Sequence, residues 1–192
     1  MGAFPHPPWL SVEDYLSGEL SADVKHEYVG GRIYAMAGGR NVHHRVSGNF
    51  FAAMHRRLRD TACEPFNSDT KVRILLPRQT RFYYPDGMVV CDTNGPQETY
   101  QDRPVVLAEV LSDSTRRIDE GEKLEAYLRI PTLRVYLLVE PDRPYVTAYR
   151  RGGRGFEPEV YEAVDAVVAL PEIRIELPLA ELYERVNLSG DA

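Results

Sequence analysis

Pro104-Val105-Val106-Leu107-Ala108-Glu109-Val110-Leu111 is the stretch whose reading decides the fold. An almost unbroken apolar run of this length is the pattern of a central strand covered on both faces. Downstream, helical spacing from about Arg116 to Arg129 stops ahead of Pro131, because a residue before proline is pushed out of the helical region. A second buried run follows at Arg134-Val135-Tyr136-Leu137-Leu138-Val139. Strand, helix, strand over this distance predicts a parallel, right-handed crossover.

Upstream, apolar residues at Val46, Phe50, Ala53, Met54 and Leu58 recur at helical spacing between Val42 and about Arg59, which predicts an amphipathic helix. Ser11 with Asp14 three residues on reads as the capped start of a short helix through Leu16. Arg32 to Ala37 alternates like a strand between glycine pairs. The runs 62–66, 71–76 and 84–91, with a turn-rich loop at Pro77 and Gln79, predict an antiparallel meander. Strands at Val146–Tyr149 and Ile173–Glu176 and a short helix from Leu179 to Arg185 complete an α/β (α+β) chain, a mixed β-sheet flanked by helices. We expect one domain over 11–186, with tails at 1–10 and 187–192.

Bulk properties narrow the classes of function. The chain has 192 residues and a formal charge of −6, which speaks against coating nucleic acid by electrostatics alone. Its basic residues gather instead at Arg56, Arg57 and Arg59, at Lys71 and Arg73, at Arg116 and Arg117, and at Arg150, Arg151 and Arg154, where a solvated face is the ordinary reading. Cys63 and Cys91 read as buried, reduced thiols rather than a disulfide. With no export or lipidation signal and no apolar run near the roughly 20 residues of a spanning helix, this predicts a soluble, cytoplasmic protein without a membrane partner.

Chemistry enters where charge interrupts apolar strands. A carboxylate at Glu109 costs several kcal/mol to desolvate unless something compensates it. A buried ion pair with Arg73 or Arg81 is one solution. The other involves Asp86, which follows Pro85 at the head of the apolar run Met88-Val89-Val90. Two acids from neighbouring strands suit one Mg²⁺, which keeps several waters and completes its shell on a substrate phosphate. That constellation points to phosphodiester hydrolysis. Lys123, with Asp119 and Tyr127 four residues to either side, lies on the helix after Glu109 and reads either as a site cation or as an exposed pair with Asp119. Glu27 precedes a Gly30-Gly31 turn, and His43 and His44 open the long helix, where a histidine orients a phosphate, ligates a metal or simply caps. Zinc-type His or Cys spacing and glycine-rich phosphate loops are absent from the sequence.

The order of these pieces resembles the bacterial restriction-endonuclease family known as "Uma two", a branch of the PD-(D/E)xK nuclease superfamily. The resemblance spans about Ser11 to Glu184. It rests on Ser11-Val12-Glu13-Asp14-Tyr15-Leu16, on His26-Glu27-Tyr28-Val29-Gly30-Gly31-Arg32-Ile33, on His43 with Gly48, and on Pro85-Asp86. Glu109-Val110-Leu111-Ser112 with Ser114-Thr115, then Asp119, Lys123 and Tyr127, and Tyr136-Leu137-Leu138-Val139 complete it. It implies a restriction-endonuclease-like core that cuts DNA with Mg²⁺, or Mn²⁺ in its place. Asp86 and Glu109 would hold the metal, with Glu27 a further acid. The superfamily lysine two residues after the second acid is replaced by Leu111, and the resemblance implies a lysine relocated to the next helix, Lys123.

On this reading Asp86, Glu109, Glu27, Lys123 and His43 are the catalytic set, and a dyad-related homodimer is expected for cutting both strands. The rivals are a non-catalytic DNA-binding or protein-interaction module with the same fold, and a phosphodiesterase acting on RNA or small nucleotides.

Overall fold

The computed structural model describes residues 9–36 and 38–188. Most of the expected N-terminal tail and the end of the expected C-terminal tail lie outside the described residues. Leu10 is already held to the body: its amide donates to the Gly31 carbonyl (3.0 Å), and the Tyr28 hydroxyl donates to its carbonyl (2.9 Å).

Helix α1 (Val12–Glu19) starts where the Ser11 hydroxyl accepts from the Asp14 amide, as the sequence predicts. Strands β1 (His26–Val29) and β2 (Arg32–Ala35) form a hairpin through Gly30 and Gly31, both at positive φ (54° and 97°). A two-residue hairpin turn of this hand needs residues without a Cβ penalty at both positions. Helix α2 (Asn41–Leu58) buries Val46, Phe50, Ala53, Met54 and Leu58, the stripe read from sequence.

The next segment departs from the expected meander. Strand β3 (Glu64–Asn67) does not pair with β4 (Lys71–Leu76); β4 turns back into β5 (Gln79–Tyr83), which occupies the expected loop, and β6 (Gly87–Val90) returns to pair with β3. The β4–β5 hairpin thus leaves the first sheet and joins a second. Strands β7 (Tyr100–Gln101), β8 (Pro104–Val110) and β9 (Val135–Val139) follow. Between β8 and β9 a π-helical stretch, Ile118–Lys123, runs directly into α3 (Leu124–Tyr127). The helical run thus extends from Arg116 to Tyr127, starting where predicted and ending two residues early, and its middle is wider than α. Strands β10 (Tyr145–Gly152) and β11 (Gly155–Glu162) form a long hairpin. Strands β12 (Val167–Leu170) and β13 (Ile175–Pro178) make a small ribbon. It is joined by a 3₁₀ turn at Pro171–Ile173 with Arg174 left-handed (φ 57°), which shifts the last strand beyond its predicted start. Helix α4 (Leu179–Leu182) ends the described structure's regular elements.

The main sheet has six strands in the order β11-β10-β9-β8-β6-β3, with β8 and β9 parallel and the other neighbours antiparallel. The parallel crossover is therefore as predicted, and the mixed sheet flanked by helices is present. A second, five-stranded sheet (β2-β1-β5-β4-β7) accompanies it, which the sequence did not separate from the first.

Alternation along β8 sets the direction of the key acid. Val106, Ala108 and Val110 face the core beneath α2, while Leu107 and Leu111 face the core shared with Tyr127 of α3 and Tyr136 of β9. Glu109 has the parity of Leu107 and Leu111, so its carboxylate enters the α3 side.

Cys63 and Cys91 correct a second expectation: they are joined in a disulfide. Pairing of Glu64 with Val90 carries the residues just beyond them, Cys63 and Cys91, opposite one another. Cross-strand register, invisible in sequence, brings the sulfurs together. Among the described residues no cysteine is a free thiol, so cysteine usage does not indicate a reducing compartment.

Candidate active site

Asp86 sits at the head of β6, where Gly87 pairs with Ala108 of β8, so it lies beside Glu109 across the ladder. A Cβ on Gly87 would stand 2.4 Å from the Phe50 ring; only glycine lets α2 press against the sheet here and set the depth of Asp86. The Asp86 Oδ2 accepts from the Val110 amide at 2.8 Å and lies 3.1 Å from Nε2 of His43, which α2 brings over from its first turn.

Glu109 is 3% exposed. Its Oε1 accepts from the Lys123 ammonium at 3.1 Å and from the Tyr127 hydroxyl at 2.8 Å. Arg73 and Arg81, the sequence's alternative partners, are engaged elsewhere, on Asp102 at 2.7 Å and on Glu122 at 3.4 Å. The Lys123 Nζ also lies 3.0 Å from Glu27 Oε1 and 3.4 Å from Asp119 Oδ1. Lys123 is thus a buried ammonium enclosed by acids, not the surface pair with Asp119 that spacing also allowed. The π-helical turn places Asp119 and Lys123 inward together, and the Asp119 carbonyl accepts from the Tyr136 hydroxyl at 3.1 Å. Such widened turns recur at functional sites.

The electrostatics follow from crowding. Burial pushes the Glu109 carboxyl well above its ordinary range against the opposing pull of Lys123, and the Asp119 and Asp86 charges add to the rise. Burial raises Asp119 as well, again opposed by Lys123. For Lys123, burial disfavours the charge, but Glu109, Glu27 and Asp119 outweigh it and hold the ammonium firmly protonated. Burial likewise disfavours charge on His43, and its hydrogen bond to Asp86 reverses the balance, leaving the imidazole raised.

These side chains line a cleft of about 390 Å³ together with His44, Ser112, Ser114 and Thr115. The structure therefore brings Asp86, Glu109, Lys123 and His43 to one cleft, with Glu27 on the far side of the Lys123 ammonium. Tyr127 and Asp119 belong to the same constellation; sequence placed them only as flanks of Lys123, and the four-residue spacing was the available signal.

The donor set suits a hard divalent cation. Glu27, Asp86, Glu109 and Asp119 oppose Lys123 and His43, an excess of negative charge. The buried Oε1 of Glu27 and Oδ1 of Asp119 already face a cation, the Lys123 ammonium at 3.0 and 3.4 Å, which leaves for a metal the carboxylates of Asp86 and Glu109, whose contacts above use Oδ2 and Oε1. Among the described residues no three His, Cys, Asp or Glu side chains form a ready cage. A Mg²⁺ would accordingly use Asp86 and Glu109 and complete its shell with water and phosphate.

Many of the basic residues marked in the sequence are paired away from this cleft, although Arg117 is exposed beside it, next to Ile118. Arg56 and Arg57 pair with Glu181, Arg116 with Glu140, and Arg150 with Glu159 and Glu172. Lys71 is buried and donates to the Tyr84 hydroxyl at 3.2 Å. Among the described residues no helix is long and apolar enough to cross a membrane.

The chain is 36% identical over 149 residues to Uncharacterized protein slr1290 of Synechocystis sp. PCC 6803, covering 77% of each chain. It is 31% identical over 148 residues to Uncharacterized protein sll1609 of the same organism, covering 75% of this chain and 82% of the other. A crystal structure described as a putative nuclease belonging to DUF820, from Anabaena variabilis, superposes with a TM-score of 0.67 at 17% identity, over 84% of this chain and 91% of that one. The model of the Uma2 family, described as "Putative restriction endonuclease", matches residues 12–180, and the chain belongs to that family.

Proposed function

We propose that the protein is a Mg²⁺-dependent endodeoxyribonuclease whose metal-binding acids are Asp86 and Glu109. The observation that carries this reading is the pair itself: a fully buried Glu109 held by Lys123 and Tyr127, beside an Asp86 tied to the same strand, at the floor of one cleft. The family's description and the nuclease-like fold support it.

When bound, the ion supplies the Lewis acidity that stabilises charge building on the scissile phosphate. The chain's own residues do the rest. Tyr127 and Lys123 orient Glu109, and the Val110 amide and His43 orient Asp86. A water oxygen bonds to phosphorus as the bond from phosphorus to the leaving sugar oxygen breaks, and a water proton ends on the released hydroxyl. Lys123 offsets the negative charge that grows during this exchange, and His43 stands on the cleft wall against Asp86. Glu27 keeps the ammonium charged and placed. Two copies related by a dyad would cut both strands.

A plasmid-nicking assay with Mg²⁺ and Mn²⁺ on wild type and Asp86→Ala tests this. The rate should fall at least about a hundredfold in the variant, the scale of losing a principal electrostatic stabiliser. Equal rates, or an inactive wild type across supercoiled, linear and single-stranded DNA, would favour the second reading. That reading, a non-catalytic module, draws on the net charge of −6 and the internal pairing of the arginines.

A further inference from the structure

A second cleft, also of about 390 Å³, continues from the first across Lys123. The two share Met36, Ser114, Thr115, Asp119 and Lys123, so they are limbs of one groove with the ammonium at the junction. The second limb differs in character. Its walls are largely apolar: Val29, Tyr34 and Ala35 from the first hairpin, and Ile118 at the start of the π-helical stretch. Tyr34 is 51% exposed and Ile118 is 42% exposed, two large side chains left open on the same cavity.

The polar groups of this limb exclude one ligand class and admit another. Glu27, Asp119 and Glu122 line it, and its one cation, Lys123, is already enclosed by carboxylates. Asp86, Glu109 and His43 line only the other limb, so a phosphate's counter-cation would be held there, and the net negative lining of this limb disfavours a phosphate. An uncharged, planar, amino-bearing ring is not disfavoured. The Glu122 carboxylate is fixed through Oε1, which accepts from the Tyr83 hydroxyl at 2.6 Å and from Arg81 at 3.4 Å. Neither contact uses Oε2, and the side chain is half-exposed, so that oxygen can accept from an exocyclic amino group.

We propose that this limb holds one unpaired nucleobase of the strand whose phosphate lies over Asp86 and Glu109, with the ring against Tyr34 and its amino edge toward Glu122. This rests on the nuclease reading above and narrows its substrate to DNA with an unpaired nucleotide beside the cut. A base inside a duplex has both faces stacked and its pairing edge occupied, so it cannot enter a side pocket without leaving the helix. A mismatched, bulged or single-stranded base has already met most of that cost. Stacking on an exposed tyrosine is tolerant of base identity, whereas the Glu122 contact favours cytosine or adenine over thymine.

The experiment uses the full chain and three labelled 30-mers that differ at one position: fully paired, one unpaired 2-aminopurine, and an abasic analogue. Binding is read by anisotropy with Ca²⁺ in place of Mg²⁺, stacking by 2-aminopurine quenching, and cleavage separately with Mg²⁺. Wild type should bind the unpaired base about tenfold tighter than the abasic analogue and quench its fluorescence, the scale expected for one base on one aromatic ring. Tyr34→Ala should abolish both effects, while Tyr34→Phe keeps them. Equal affinity for base-bearing and abasic DNA, or discrimination that survives Tyr34→Ala, overturns the proposal. Equal cleavage of both by an active wild type overturns it too and leaves the nuclease reading standing. Base-dependent binding without cleavage of any substrate supports the pocket and overturns the nuclease reading; no binding of any DNA overturns both.

Discussion

The Asp86 carboxylate accepts a 2.8 Å hydrogen bond from the amide of Val110, the residue immediately after Glu109, so one acid is anchored to the strand that carries the other. Their relative position is a property of the β6–β8 ladder rather than of flexible side chains. What disturbs that ladder should disturb the site before it disturbs the rest of the fold.

Gly87→Ala is the sharpest probe of this coupling. The added methyl would stand 2.4 Å from the buried Phe50 ring, so α2 or β6 must move. Urea denaturation should show a loss of about 1–3 kcal/mol, the usual cost of overpacking, with weaker binding of divalent cations. A Gly87→Ala protein with wild-type midpoint and wild-type cation affinity would contradict the tight approach.

Lys123→Met leaves Glu27, Glu109 and Asp119 facing one another without their ammonium. Removing one partner of a buried charge set costs about 3–5 kcal/mol. Thermal unfolding in EDTA should show that loss, and Mg²⁺ should restore part of it by serving the same carboxylates. Destabilisation that Mg²⁺ leaves untouched would mean the acids do not form a cation site.

The disulfide closes a loop of 28 residues in sequence separation, worth about 3–4 kcal/mol on the loop-entropy estimate. Wild type in dithiothreitol and Cys63→Ser without it should unfold at nearly the same, lower, urea concentration. Dithiothreitol should not shift the variant further; a further shift would show that reductant acts elsewhere.

Glu140 provides a pH signature away from the cleft. The Arg116 fork meets it at 2.8 and 2.7 Å, Arg143 adds a contact at 3.4 Å, and together they hold its carboxyl below the usual glutamate range against the opposing effect of burial. A lowered folded-state pKa stabilises the fold fully above the unfolded value, about 4.3, and that contribution fades as pH falls through the folded value. The stability difference between wild type and Glu140→Gln should therefore stay flat from about pH 5 upward and shrink below about pH 4. A difference that grows on acidification would reverse the assignment.

Much of the site was legible because charge inside apolar sequence is conspicuous. Glu109 within Val105 to Leu111 announces a compensated carboxylate, and β8 bears out the strand that carries it. Helix α2 was legible for a related reason: its 18 residues give the apolar stripe several full turns in which to repeat. Pairing was not legible. Strands β3 and β6 meet across an inserted hairpin, and a run of four residues such as Glu64–Asn67 carries no mark of its partner. The second sheet and the Cys63–Cys91 bridge both follow from that hidden register. The π-helical widening at Ile118–Lys123 was equally silent, since one extra residue per turn leaves no periodic trace over six residues.

A crystal soaked in Mn²⁺ would locate the metal itself, because manganese takes the same oxygen ligands as magnesium and marks its own position by anomalous scattering. If Asp86 and Glu109 hold the metal, one anomalous peak per chain lies within coordination distance of both carboxylates and is lost in Asp86→Ala crystals. No peak there in well-diffracting wild-type crystals, or an equal peak in Asp86→Ala crystals, would contradict that assignment.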